Sequence, residues 1–352
     1  MTSRQTTRGT GSSPLRALAR YVIETAWLRP RTRSLVAAVL GASAVVVAVS
    51  CSSQQASTTS SAPGKIGSTA LDDARLPPAC QQGPATPRVI ATLGQWRDIT
   101  EQLAAGCVQV EAILDRNTGD PHDFEPTPAQ VEALRDASVI ILNGLGYDEW
   151  ARKAIDTFTT KPVVIDLGEV VGLRPGANPH LWYSPRYLRQ AAGAISGELS
   201  RLVPLASSHF DAAHTTFERS MQRYDEIIGS IRSRHAGQHF AATEPVFDYM
   251  ADALGLVNST PDGYQRSAAN HTDPPPGDLA SFQQAIRSTS IRVLIDNRQT
   301  ASAIADQLKE LAVQSGVPVV EMAESAGQGN FFEWQVGQLE RLDGALSVGG
   351  EG

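Results

Sequence analysis

The sequence predicts an α/β protein of two lobes, each with a mostly parallel sheet flanked by helices, joined by one long backbone helix. Two observations lead there. Short β-branched runs alternate with amphipathic stretches in two separate series, the pattern of parallel strands covered on both faces. Between the two series lies a helical stretch longer than any other in the chain.

The first series starts at Arg88 with RVIATLG and continues through QWRDITEQLAAG, CVQVEAIL, PAQVEALRDA, SVIILNG and KPVVIDLG, strand and helix in turn. It outlines an N-terminal lobe over residues 88–205. From Ser184 to about Arg234 the pattern is helical, with Pro204 as its internal break. In its second half Phe210, Phe217, Met221, Tyr224 and Ile228 recur at spacings of seven, four, three and four. That is one helical face, and it marks 206–235 as the linking helix. The second series runs HFAAT, PVFDYMADALGL, DLASFQQAIRS, IRVLIDN, a helix from about Thr300 to Ser315, VPVVEMA, and a last helix near Phe331 to Leu346. It outlines a C-terminal lobe over 236–348.

Charge separates the N-terminus from this body. Seven of the 30 basic residues and one of the 37 acids lie in residues 1–50, which leaves 23 against 36, a net −13, for the rest. An acidic body argues against a nucleic-acid partner, because phosphate binding needs clustered positive charge. Leu35 to Val49 is an unbroken run of 15 apolar and small residues behind Arg29, Arg31 and Arg33. It falls short of the ~20 residues of a spanning helix, so residues 1–50 read as a secretory signal peptide. The junction Ala48-Val49-Ser50-Cys51 resembles a bacterial lipobox, which makes Cys51 the lipidated residue and 51–87, rich in Ser, Thr and Pro, a flexible linker. The alternative is an uncleaved anchor with a basic cytoplasmic tail. Either way the body sits on the extracytoplasmic face of the cell membrane.

With Cys51 assigned to lipid, Cys80 and Cys107 remain as an even pair in an oxidising compartment. They are expected to form a disulfide worth about 3 kcal/mol for the loop it closes. Two reduced, buried thiols are the alternative.

Four acidic or histidine positions fall just past a strand or at the opening of a helix, where open α/β sheets place their ligands. The first is His122 in DPHDFEPTP, where Thr127, Pro128 and Gln130 account for themselves as a capping box with proline at the first helical position. Nothing local accounts for the histidine. The second, His180 in NPHLWYSP, repeats a Pro-His step that leads into a capped, proline-initiated helix at Ser184-Pro185. Glu244 follows HFAAT, and Glu324 follows VPVVEMA. Neutral imidazoles and carboxylates are the ligand types that divalent transition metals take.

Taken in order, DPHDFEPTP, NGLGYDEW, NPHLWYSP, TEPVFDYMADALGL and LIDNRQT resemble the metal-binding lipoproteins of bacterial zinc and manganese ABC importers, over about residues 88–346. The resemblance implies a cation held between two lobes by four side chains, here His122, His180, Glu244 and Glu324. It departs from the family pattern at the fourth position, usually Asp, and leaves His271 or Asp273 of the NHTD loop as the next candidates there. The acidic, His-rich loop of some zinc members is absent, since 123–179 holds no histidine. The implied cargo is Zn(II) or Mn(II), with Fe(II) also admitted. Monodentate carboxylates would suit the first and bidentate ones the others. The implied partners are a membrane permease and its ATPase, with a lipid anchor and a monomeric state. The long helix implies little lobe movement, and neutral imidazole ligands imply that affinity falls as pH drops.

Two other classes use the same residues. A metal-dependent hydrolase would take Glu244 or Glu324 as general base, but the chain has no HExxH helix, GxSxG elbow or Gly-rich phosphate loop. A surface adhesin on the same fold would keep the site and add a patch that the sequence does not reveal. His209, His214, His235 and His239 belong to the linking helix and its exit and receive no metal.

Overall fold

A computed structural model describes residues 76–80, 86–115, 124–300, 302–325 and 329–348. Cys51 and His122 lie outside the described residues. Among the described residues no helix is long and apolar enough to cross a membrane.

The first sheet is made of β1 (Arg88–Leu93), β2 (Gln109–Leu114), β3 (Val139–Leu142) and β4 (Val163–Asp166), in the order β2-β1-β3-β4 and all parallel. Parallel neighbours require crossovers, and helices α1 (Gly94–Ala104), α2 (Pro128–Arg135), α3 (Glu149–Asp156) and α4 (Leu167–Val170) follow the four strands in turn. Val139, Ile140, Ile141 and Leu142 are all buried, as a strand covered on both faces must be. The predicted capping box is present: Thr127 accepts from the Gln130 N–H, and the Gln130 side chain accepts from the Thr127 N–H. Upstream of β1, Pro78–Cys80 forms a short 3₁₀ turn, and Cys80 is bonded to Cys107. The expected disulfide is therefore present, and both cysteines are buried.

After α5 (Pro185–Leu202) and a turn at Pro204 comes α6 (Ser207–His235), 29 residues long. Its predicted face, Phe210, Phe217, Met221, Tyr224 and Ile228, is buried throughout. The helix packs on α1 and α5 of one lobe, and also on two helices of the other, α7 (Asp248–Leu254) and α11 (Phe331–Ser347).

The second sheet repeats the first: β5 (His239–Ala242), β6 (Val257–Asn258), β7 (Val293–Asn297) and β8 (Val319–Met322) lie in the order β6-β5-β7-β8, again all parallel. Its remaining helices are α8 (Asp262–Ala269), α9 (Pro276–Arg287) and α10 (Ala303–Gln314). Neither α8 nor the two-residue β6 stands out in the sequence, the one short and polar and the other too brief to show alternation.

One apolar cluster runs through both lobes, from Val89 and Trp96 through Trp182, Phe217 and Tyr224 to Phe240 and Phe331. The lobes therefore share a core along α6. A smaller cluster around Phe282, Ile286 and Leu308 fills the outer side of the second sheet.

Candidate metal centre

The two sheets present their carboxyl ends to a common region. Tyr147 lies past β3 and Glu244 past β5; Asn297 ends β7 and Glu324 lies past β8. His180 enters from the N-terminal lobe, just ahead of the 3₁₀ turn Leu181–Tyr183.

His180 is 3% exposed and its ring is held from behind. Oδ1 of Asn178 accepts from the His180 backbone N–H at 3.0 Å and lies 2.7 Å from Nδ1. An amide oxygen only accepts, so Nδ1 carries a hydrogen, and in the neutral ring the lone pair is left on Nε2, which points forward. Nε2 has no hydrogen-bond partner and faces Oε2 of Glu324 at 3.4 Å. Two ligands each about 2.0–2.1 Å from a tetrahedral cation stand roughly 3.3 Å apart, so this nitrogen and oxygen already have the spacing of a ligand pair.

Glu324 is 1% exposed and is fixed on every side. Its backbone N–H donates to Oε1 of Gln299, the Tyr147 hydroxyl donates to Oε2, and Nδ2 of Asn297 donates to Oε1 at 2.6 Å. The same Nδ2 donates to Oε2 of Glu244, also at 2.6 Å. Burial pushes the Glu244 carboxyl above its ordinary range, and the Asn297 hydrogen bond works against that shift. Asn178 ties the two lobes together here, because its Nδ2 donates to the Pro245 carbonyl, one residue beyond Glu244.

The loop behind Tyr147 is equally constrained. Asp148 accepts from Thr92 Oγ1 and from the backbone N–H groups of Asn143 and Gly144. Gly144 has φ +78, and a Cβ there would meet Oδ1 of Asp166 at 2.1 Å, so only glycine fits this turn.

Three of the four sequence-derived ligands thus meet: His180 and Glu324 directly, and Glu244 through Asn297. The fourth, His122, lies outside the described residues. Among the described residues no three His, Cys, Asp or Glu side chains form a ready-made cation site. His271 and Asp273 line a cavity of about 240 Å³ with Glu244, Tyr264 and Thr300. His209 meets the Ala105 carbonyl, His214 lies near Glu218, His235 pairs with Asp343, and His239 meets Ser259. Sequence reasoning missed Tyr147, Asn178 and Asn297. All three lie inside the motifs NGLGYDEW, NPHLWYSP and LIDNRQT, and the position of Asn297 at a strand end was the available signal.

The family described as zinc-uptake complex component A, periplasmic, matches residues 89–345. The zinc-binding lipoprotein AdcA of Streptococcus pneumoniae is 22% identical over 250 residues, 65% of this chain and 49% of that protein. The chain therefore spans about half the length of that relative. The manganese-binding lipoprotein MntA of Halalkalibacterium halodurans is 23% identical over 146 residues, 40% of this chain and 48% of that protein. Among solved structures, the periplasmic zinc-binding protein TroA of Treponema pallidum superposes with a TM-score of 0.64 at 16% identity, covering 74% of this chain and 99% of that one. At that identity the likeness is one of fold.

Proposed function

Because the chain belongs to the zinc-uptake complex component A family, we propose that it is the solute-binding component of a divalent-metal ABC importer on the extracytoplasmic face of the membrane. Its task in this reading is capture and release, with no chemical step. It takes up Zn(II) or Mn(II), with Fe(II) as third candidate, between its lobes on His122, His180, Glu244 and Glu324. It then hands the ion to a membrane permease driven by an ATPase. Lipidation at Cys51 and a monomeric state complete the proposal.

The observation that carries it is the pair formed by His180 and Glu324. A buried imidazole nitrogen with its lone pair forward, no hydrogen-bond partner and a carboxylate oxygen 3.4 Å away is a half-built ligand set. Burying unpaired polar atoms is unfavourable unless something is to be bound. Glu244 is held beside Glu324 by the Asn297 amide, which donates to both carboxylates.

The test is elemental analysis of the full chain, purified without a metal-chelating tag, beside Glu324→Ala. One equivalent of zinc or manganese, lost or weakened in the variant, is the expected result. Metal retained unchanged would move the fourth ligand to Asp273 or His271. No uptake after adding zinc, manganese and iron would end the importer reading.

A further inference from the structure

His180 and Glu244 come from different lobes, and Asn178 holds their two segments in register. Its side chain reaches both ways: Oδ1 meets the His180 backbone N–H and ring, and Nδ2 donates to the Pro245 carbonyl at 2.6 Å. A carbonyl only accepts, which fixes which end of the amide is nitrogen. The Asn178 backbone is gripped from the same lobe. Its carbonyl accepts from the Tyr249 hydroxyl at 2.7 Å, and Tyr249 lies on α7, five residues beyond Glu244. The segment that carries Glu244 thus holds Asn178 twice, once through an acceptor and once through a donor. From within the N-terminal lobe, Nδ2 of Asn143 holds the next carbonyl, Pro179, at 3.0 Å.

Tyr249 is well placed to keep this register. Its ring stands edge-on to Tyr187 of the other lobe, with centroids 5.1 Å apart, while its hydroxyl meets the Asn-Pro step. Burial, together with Tyr187, Asp248 and Asp252, pushes the phenol up to about 12, so it keeps its proton and donates. Without that hydroxyl Asn178 keeps one tie to the C-terminal lobe in place of two, and the peptide leading into His180 is free to turn. An Asn178 that tilts releases Nδ1, and the ring can then move its hydrogen to Nε2, the nitrogen that faces Glu324. Resting on the metal-capture reading above, we infer that Tyr249 is a positioning residue: from the C-terminal lobe it fixes the Asn178-Pro179-His180 segment, so that capture needs no rearrangement of the imidazole.

The experiment takes two readouts on full-length wild type and Tyr249→Phe. The first is the pair of imidazole nitrogen resonances of His180 in metal-free protein at mildly alkaline pH, which reports the tautomer without any ion. The second is Zn(II) affinity by competition with a chromophoric chelator. Wild type is expected to show the Nδ1–H tautomer alone. Tyr249→Phe should show a second tautomer and an affinity about fivefold lower, the worth of one hydrogen bond. Tyr187→Phe, which removes the hydroxyl of the ring partner and leaves the bond from Tyr249 to Asn178, should change neither. A mixed tautomer in wild type would overturn the inference whether or not the variant folds. So would an unchanged tautomer or affinity in folded Tyr249→Phe, or an equal effect from Tyr187→Phe. Wild type that takes up neither zinc, manganese nor iron, with the tautomer shift present, would instead overturn the metal-capture reading itself.

Discussion

The hydroxyl of Tyr147 donates to Oε2 of Glu324, joining the loop past β3 of one lobe to the loop past β8 of the other. Oε2 is also the oxygen that faces Nε2 of His180. A carboxylate oxygen has a second lone pair, so the phenol can steer this one while it faces an ion. Tyr147→Phe keeps the ring, which packs edge-on against Trp182, and removes only the donor. Outer hydrogen bonds of this kind are typically worth 10–100-fold in metal affinity, so a drop of about tenfold is expected by competitive titration with the fold unchanged. An unaltered affinity would mean that Asn297 and the backbone suffice to hold Glu324.

Asn178 has a double role, orienting His180 through Oδ1 and reaching the Glu244 loop through Nδ2. Asn178→Ala frees the imidazole to rotate and change tautomer, and a loss of roughly 10–100-fold in affinity is expected. Asn178→Asp keeps the acceptor and loses the bond to Pro245. It should restore most of the affinity while lowering the melting temperature.

Asp148 gives the protein an unusual pH dependence. Burial pushes its carboxyl up to about 6, against the hydrogen bonds from Thr92, Gly144 and Asn143. Between the ordinary carboxylate value and about 6, the folded chain holds a proton that the unfolded chain has released. This group's contribution therefore falls as pH rises through that window, with the full penalty present above it. Asp148→Asn stays neutral and lacks this dependence. Relative to wild type the variant should gain about 3 kcal/mol between about pH 4 and about pH 7.5, read from urea denaturation at each pH.

The disulfide from Cys80 to Cys107 closes a separation of 27 residues. Reducing it, or replacing the pair by alanine, should lower stability by about 3 kcal/mol. Denaturation with and without reductant measures the difference, and mass spectrometry of the intact chain should find the two thiols protected from alkylation until the protein is reduced.

What the sequence made legible was whatever repeats or is punctuated. The burial of Phe210, Phe217, Met221, Tyr224 and Ile228 follows from their spacing, and the Thr127 and Ser184 caps follow from the residues around them. Histidines and glutamates at strand ends announced themselves by type. The polar residues that aim them did not. Tyr147 and Glu324 are 177 positions apart, and Asn297 and Glu244 are 53 apart. Such pairs leave no period and no local motif, because only the packing of two sheets on a common helix brings them together. The helix α8 escaped for a simpler reason: DGYQRSAA buries one large side chain, Tyr264, too little for an apolar face to show.

The turn at Pro78–Cys80 has a mechanical consequence. β1 lies inside its sheet, between β2 and β3, so tension applied at its start would peel the sheet from the middle. The bond from Cys80 diverts such a load to Cys107, at the junction of α1 and β2, where the chain is buried and braced. A pull from upstream then meets a covalent strain relief before it reaches the first hydrogen bond of β1, much as a clamp on a cable spares the solder joint behind it.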